Sequence, residues 1–335
     1  MTKKQLYYLT DDGIAKLQAM PVFKKLSSGN QNYLEEYLQT TLSGMNRVDE
    51  KMLRCRLEKI ARLIGPSEAK PIIIQIRKVL TVQDLEETKV RLFDAVSLNT
   101  HHFENLSSIR GDGCVWIAGR VPFDWATSVG FSSEIAQQLP QKKMNRFEML
   151  DFCKRTPWDV SIPAILAWGG MKIGHGRRVS VPAVWDQLKP IANELRAGNL
   201  CRRSAYDTLA RFRAQNSGCG LGPAYFTKLI YFLAPKHDGY IMDQWTSLSM
   251  NLLFSRSGKS IVNLITNSYR GRRTDTVSDK NSPEDYECFC LCVEKLAESL
   301  EIENASQAEE WIFSKGGRHP APWRKYVLAN RPSTR

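Results

Sequence analysis

Long apolar runs are missing from this chain, and acidic residues are scarce where it is most basic. Its 335 residues carry 35 Asp and Glu against 47 Lys and Arg, a formal net charge of +12. The shortage is local: residues 142–280 hold 22 basic side chains and 10 acidic ones, while the segments on either side nearly balance. A surplus concentrated in this way points to a polyanion, because phosphate neutralisation is the strongest general source of nucleic-acid affinity. No stretch reaches the roughly eighteen apolar residues of a membrane span, and the first dozen residues lack the apolar core of a signal peptide. No membrane partner is expected, and a cytoplasmic location is.

A cysteine framework is also lacking. The eight cysteines form no paired pattern, which suits a reducing compartment. Cys288, Cys290 and Cys292 look like a ligand set, but residues two apart on a helix diverge by about 200°. His101-His102 has no Cys or carboxylate at ligand spacing. Gly258-Lys259-Ser260 resembles the end of a P-loop, yet the first Gly of that motif would fall on Leu253. No metal and no cofactor are therefore expected. There is no internal repeat and no low-complexity tract, and the 42% hydrophobic content supports a full core.

What is present is helical periodicity. Apolar spacing predicts helices over 51–64, 73–80 and 82–96, then an extended crossing with short strands over 111–122. From Asn145 the pattern becomes denser, with helices over 146–155, 161–168, 181–196, 204–215, 224–234, 245–254, 284–300 and 306–313. The polar stretch 268–284, with Arg270, Arg272 and Arg273, reads as an exposed loop. This divides the chain into a mainly helical N-terminal domain, 1–140, and a basic helical region, 141–335.

Gly218-Cys219-Gly220-Leu221-Gly222-Pro223-Ala224 is the most informative segment. Gly220 and Gly222 permit a tight turn that presents backbone N–H groups, and Pro223 suits the first position of the following helix. A helix start of that kind binds phosphate. Pro235 then stops the helix and Asp238-Gly239 turns the chain. Asp243, 21 residues after Gly222, arrives where the next helix needs an N-cap.

This arrangement resembles the helix-hairpin-helix DNA glycosylases, whose hairpin is followed at a similar distance by a catalytic Asp. It is similar in particular to bacterial proteins with the 8-oxoguanine-glycosylase (OGG-like) fold. Those carry a Gly-Leu-Gly-Pro-Ala…Thr-Lys-Leu hairpin and an upstream Ala-Trp-Gly segment. Here these are Gly220-Leu221-Gly222-Pro223-Ala224…Thr227-Lys228-Leu229 and Ala167-Trp168-Gly169. The likeness spans about 145–325 and implies a mainly α helix-hairpin-helix glycosylase fold with an additional helical N-terminal domain. Animal 8-oxoguanine glycosylases place an antiparallel sheet in that domain, and this sequence departs from them. The cysteine spacing that holds an iron–sulfur cluster in some relatives is absent.

The resemblance implies specific roles. Cleaving an N-glycosidic bond builds positive charge on the sugar, and Asp243 is the carboxylate that would stabilise that cation or activate water. Gly218, Gly220, Gly222, Lys228, Arg177 and Arg178 are the candidate DNA contacts. A base inside a duplex must be flipped out to be reached, and Trp168, His175, Gln244 and Trp245 are the candidate pocket for it. Bifunctional relatives carry a Schiff-base lysine two residues after the second Gly. Ala224 stands there, so a monofunctional enzyme using water is expected. The partner is double-stranded DNA with a modified base, an oxidised purine or a bulky phage-type modified cytosine, bound by a monomer. Two other readings stay open: a glycosylase and lyase using Lys228, one turn further along, and a DNA-binding module without chemistry.

Overall fold

The computed structural model describes residues 5–9, 11–42, 50–79, 81–84, 96–109, 117–171, 184–216, 218–269, 272–315 and 319–331. The described chain is mainly helical and forms two compact units, Met1–Asp94 and Ala95–Arg335. No described helix is long and apolar enough to cross a membrane.

The first unit contains β1 (Gln5–Tyr8), α1 (Asp11–Ala19), α2 (Pro21–Lys24), α3 (Ser28–Thr41), α4 (Glu50–Ile64), α5 (Pro66–Val79) and β2 (Thr81–Asp84). Leu53, Leu57, Ile60 and Ile64 make the buried stripe of α4 and share one core with Leu34, Leu38, Ile72 and Ile76. Their three- and four-residue spacing is what makes this segment an amphipathic helix. The helix expected over 82–96 is corrected at its start. Thr81–Asp84 pair antiparallel with β1, with Tyr7 opposite Val82 in the register, and β-branched residue types such as Thr81 and Val82 suit a strand. Residues 85–95 lie outside those described.

The second unit begins with β3 (Val96–Leu98), α6 (Thr100–Ile109), β4 (Ile117–Ala118), α7 (Pro122–Val129), α8 (Ser133–Gln137) and β5 (Met144–Asn145). The described residues from 96 to 140, grouped from sequence with the N-terminal domain, belong to this unit. Trp125 Nε1 donates to Met171 O at 2.9 Å, and β3 pairs with a strand far along the chain. Then come α9 (Arg146–Arg155), α10 (Trp158–Trp168), α11 (Trp185–Arg196), α12 (Arg202–Gln215), α13 (Pro223–Leu233) and α14 (Gln244–Leu253). The order closes with β6 (Phe254–Arg256), β7 (Lys259–Ser260), β8 (Leu264–Tyr269), β9 (Arg272–Val277), α15 (Pro283–Ser299), α16 (Ala305–Phe313) and α17 (Pro322–Asn330).

Two helices organise the core. Every residue of α10 from Val160 to Trp168 is buried, and so is every residue of α13 from Phe226 to Leu233. Helices with apolar residues around most of their circumference lie inside the molecule, and Lys228 is the charged residue buried on α13. They touch through the edge-on pair Trp168–Phe232, with ring centroids 5.0 Å apart. Tyr206 of α12 joins them, lying edge-on to Phe226 and stacked on Tyr286 of α15. Cys288, Cys290 and Cys292 are buried on α15.

The stretch 268–284 is not a loop throughout. Ser268 and Tyr269 end β8, which pairs with β9 from Leu264↔Val277 to Tyr269↔Arg272. Polar strand residues hid this hairpin: the buried Asp275 carboxylate is satisfied by Thr266, Arg273 and Arg331. The P-loop lookalike is a turn into β7, with Ser257 and Gly258 at positive φ.

Candidate active site

The hairpin connects α12 to α13. Cys219 and Leu221 point into the core, whereas Gly218 and Gly220 are exposed. Gly220 needs to be glycine: its φ is +76°, and a Cβ there would stand 3.0 Å from Met171 Cε. Gly222 does not need to be, as far as the chain is concerned. It is the N-cap of α13 with extended backbone, and a Cβ would meet nothing closer than Asp279 Oδ1 at 3.8 Å. That carboxylate is paired with Arg213 at 3.5 Å. Pro223 opens the helix, as the sequence indicates.

Asp243 caps α14. Its Oδ1 accepts the N–H groups of Trp245 at 2.8 Å and Thr246 at 3.2 Å, and Thr246 Oγ1 accepts the Asp243 N–H at 3.0 Å, completing a capping box. Oδ2 is left facing Lys228 Nζ, 3.7 Å away. The residue before Asp243 is held by α13, where Thr227 Oγ1 accepts the Met242 N–H at 3.2 Å.

Lys228 is buried, and its Nζ donates to Ala224 O at 2.9 Å. Burial pushes its ammonium below the ordinary lysine range, with Asp243 and Glu309 pulling the other way and Arg146 adding repulsion. Beneath this pair lies another: Arg146 donates to Glu309 Oε2 at 2.6 Å, with side chains only 6% and 2% exposed, and its guanidinium covers the Tyr231 ring at 4.1 Å. Burial opposes the Arg146 charge, but Glu309, Tyr231 and Glu310 hold it above the usual arginine value. Buried pairs add little stability over an apolar isostere, whereas removing one partner alone costs about 3–5 kcal/mol.

These four charged groups line one pocket. Trp168, Ile241 and Phe313 give it apolar surface, and Glu310, Ser314 and Lys315 complete it. Burial raises the Glu310 carboxyl, with Arg146 opposing. Ser314 has φ +52°, rare for a non-glycine residue. Arg324 of α17 holds that bend by donating to Phe313 O and to Ser314 O at 2.6 Å, while its guanidinium lies 3.7 Å over the Trp245 ring. Burial brings the Arg324 guanidinium down to about 10, against the pull of Asp243.

Residues 137–313 match the model of the family described as "Putative 8-oxoguanine DNA glycosylase OGG-like protein". The chain belongs to this family. That description is of a DNA glycosylase, with DNA as the partner. No curated protein and no solved structure matches the chain.

In this OGG-like protein, Asp243, Lys228 and Trp168 are brought together at the pocket. Trp245 and Gln244 stand beside it and are not among its lining residues. The Trp245 ring is covered by Arg324, and the Gln244 amide donates to Asp275 O and accepts from Trp245 Nε1 at 2.8 Å. His175, Arg177 and Arg178 lie outside the described residues. Sequence reasoning missed Arg146, Glu309, Glu310, Phe313, Ser314, Lys315 and Arg324. The nearest thing to a signal was the Asn145–Glu148 capping box, which fixes where Arg146 leaves the chain.

Proposed function

We propose that this protein is a monofunctional DNA glycosylase of the helix-hairpin-helix type, acting as a monomer on double-stranded DNA. The turn Gly218–Gly222 and the start of α13 hold the phosphate backbone, the modified nucleotide is flipped into the pocket, and Asp243 stabilises the sugar cation and activates water. The observation that carries this reading is Asp243 itself. One oxygen is bound by the capping N–H groups, and the other faces Lys228 at a pocket that Trp168, Ile241 and Phe313 also line. A pocket lined by buried charge is costly for a protein that merely binds DNA, and this disfavours the non-catalytic module.

The substrate class is an oxidised purine or a bulky phage-type modified cytosine, the latter implying a role in defence against phage. The test is mass spectrometry of bases released from duplexes carrying each, with hot alkali to reveal abasic sites. Asp243→Asn should abolish release by either route while keeping DNA affinity, since Asn still caps the helix. Release at the wild-type rate by this variant would refute the assignment.

A second reading is favoured by one distance, the 3.7 Å between Lys228 Nζ and Asp243 Oδ2. A buried amine at that place is where a Schiff-base nucleophile of a combined glycosylase and lyase would stand.

A further inference from the structure

Gly169 ends α10 with an ordinary helical φ of −67°, so nothing in its backbone demands glycine. Space does. A Cβ there would stand 3.0 Å from Lys228 Cδ, 3.3 Å from Lys228 Cε and 3.3 Å from Tyr225 Cδ1. The end of α10 is cut back to admit a lysine that could otherwise have been an apolar residue on a buried helix.

The groups facing that ammonium come from four elements. They are Asp243 from the turn before α14, Glu309 from α16, Arg146 from α9, and Tyr225 from its own helix with the ring centroid at 5.8 Å. Two groups 3.7 Å apart can address the two ends of a single bond. Their charges raise a difficulty for the glycosylase reading. Asp243 favours a cation on the sugar, and an ammonium fixed beside it opposes the same cation. The conflict disappears if the ammonium gives up its proton as the bond breaks.

We propose that Lys228 is a general acid that protonates the departing base. This rests on the reading of Asp243 as the catalytic carboxylate. The C1′–N bond breaks with its electron pair passing to the base, and the Lys228 ammonium delivers a proton to the base, becoming a neutral amine. Water bonds to C1′ through oxygen and loses a proton to Asp243 Oδ2. The proton then passes from Asp243 to Lys228, directly or through one water. Both groups are restored, and the net change is one water divided between sugar and base. Burial, which weakens the ammonium's hold on its proton, suits it to this task.

The acid and nucleophile readings of Lys228 predict opposite pH dependence. Protein labelled with 13Cε-lysine is titrated by NMR, with the Lys228 signal assigned by its loss in Lys228→Gln. Base release is then measured across the same pH range on duplexes containing 8-oxoguanine or glycosylated 5-hydroxymethylcytosine. The expected midpoint lies below that of the other lysines and falls further in Asp243→Asn. Release should decline as pH rises through the wild-type midpoint. Lys228→Gln should be slower by about 10²- to 10⁴-fold and lose that alkaline limb. Release that climbs through the midpoint, an ordinary midpoint, or a Lys228→Gln variant as fast as wild type overturns the proposal. Wild type that releases neither base defeats the glycosylase reading itself, a result distinct from the other three.

Discussion

Thr227 and Met242 are hydrogen-bonded, the threonine Oγ1 accepting the Met242 N–H at 3.2 Å while donating to Pro223 O at 2.9 Å. Each is the neighbour of a pocket residue, Lys228 on one side and Asp243 on the other. The bond therefore sets the spacing of the two groups proposed to do the chemistry.

Thr227→Val keeps the shape and removes the acceptor, leaving the Met242 N–H buried without its partner. Unfolding in urea should show a loss of about 1–3 kcal/mol. Base release should fall by more than the lost folded fraction explains. Unchanged activity at reduced stability would make the bond purely structural.

Gly220 and Gly222 of the hairpin should behave differently. Gly220→Val forces a β-branched residue to φ +76° against Met171, and both stability and DNA binding should drop. Gly222→Val has extended backbone and free space, so thermal unfolding should change little. Its DNA binding should weaken alike for every sequence, because backbone N–H groups carry no base information. Filter binding or anisotropy with several duplexes checks this, and full affinity in Gly222→Val would remove the hairpin as phosphate anchor.

With Ala224 in the place of the Schiff-base lysine, the product should be an intact abasic site. Borohydride added during turnover should trap no covalent protein–DNA adduct. An adduct that forms with wild type and vanishes in Lys228→Gln would establish the lyase reading instead.

Lys228 also predicts a stability signature. Its folded-state pKa lies below the unfolded lysine value of about 10.4, so between the two the unfolded chain binds more protons. Stability from this group accordingly rises with pH across that window, the reverse of a surface lysine gaining a partner. The difference in unfolding free energy between wild type and Lys228→Met should move in favour of wild type from the folded pKa up to the unfolded one. A flat difference would show that burial does not perturb the amine.

Much of the second unit was legible in order. The helices over 146–155 and 204–215 match α9 and α12 closely, because their apolar periods are uninterrupted and their ends lie near caps or stops. The β8–β9 hairpin was not legible. Its strands are mostly Thr, Asn, Ser, Arg and Asp, and only cross-strand pairing makes Asp275 an inside residue. Nor was Thr81–Asp84, four residues whose partner strand lies more than seventy positions earlier in the chain.

For the site, the chain order alone determined what is local. Gly220, Pro223 and Asp243 could be placed because turn geometry, helix initiation and N-capping act within a few residues. The pocket around Asp243 was decided by packing. Arg146, Glu309 and Arg324 lie on α9, α16 and α17, and no spacing rule links them to Asp243 or to each other. A buried charge is tolerated only where the fold brings it a partner, and that pairing exists only once distant helices have packed together.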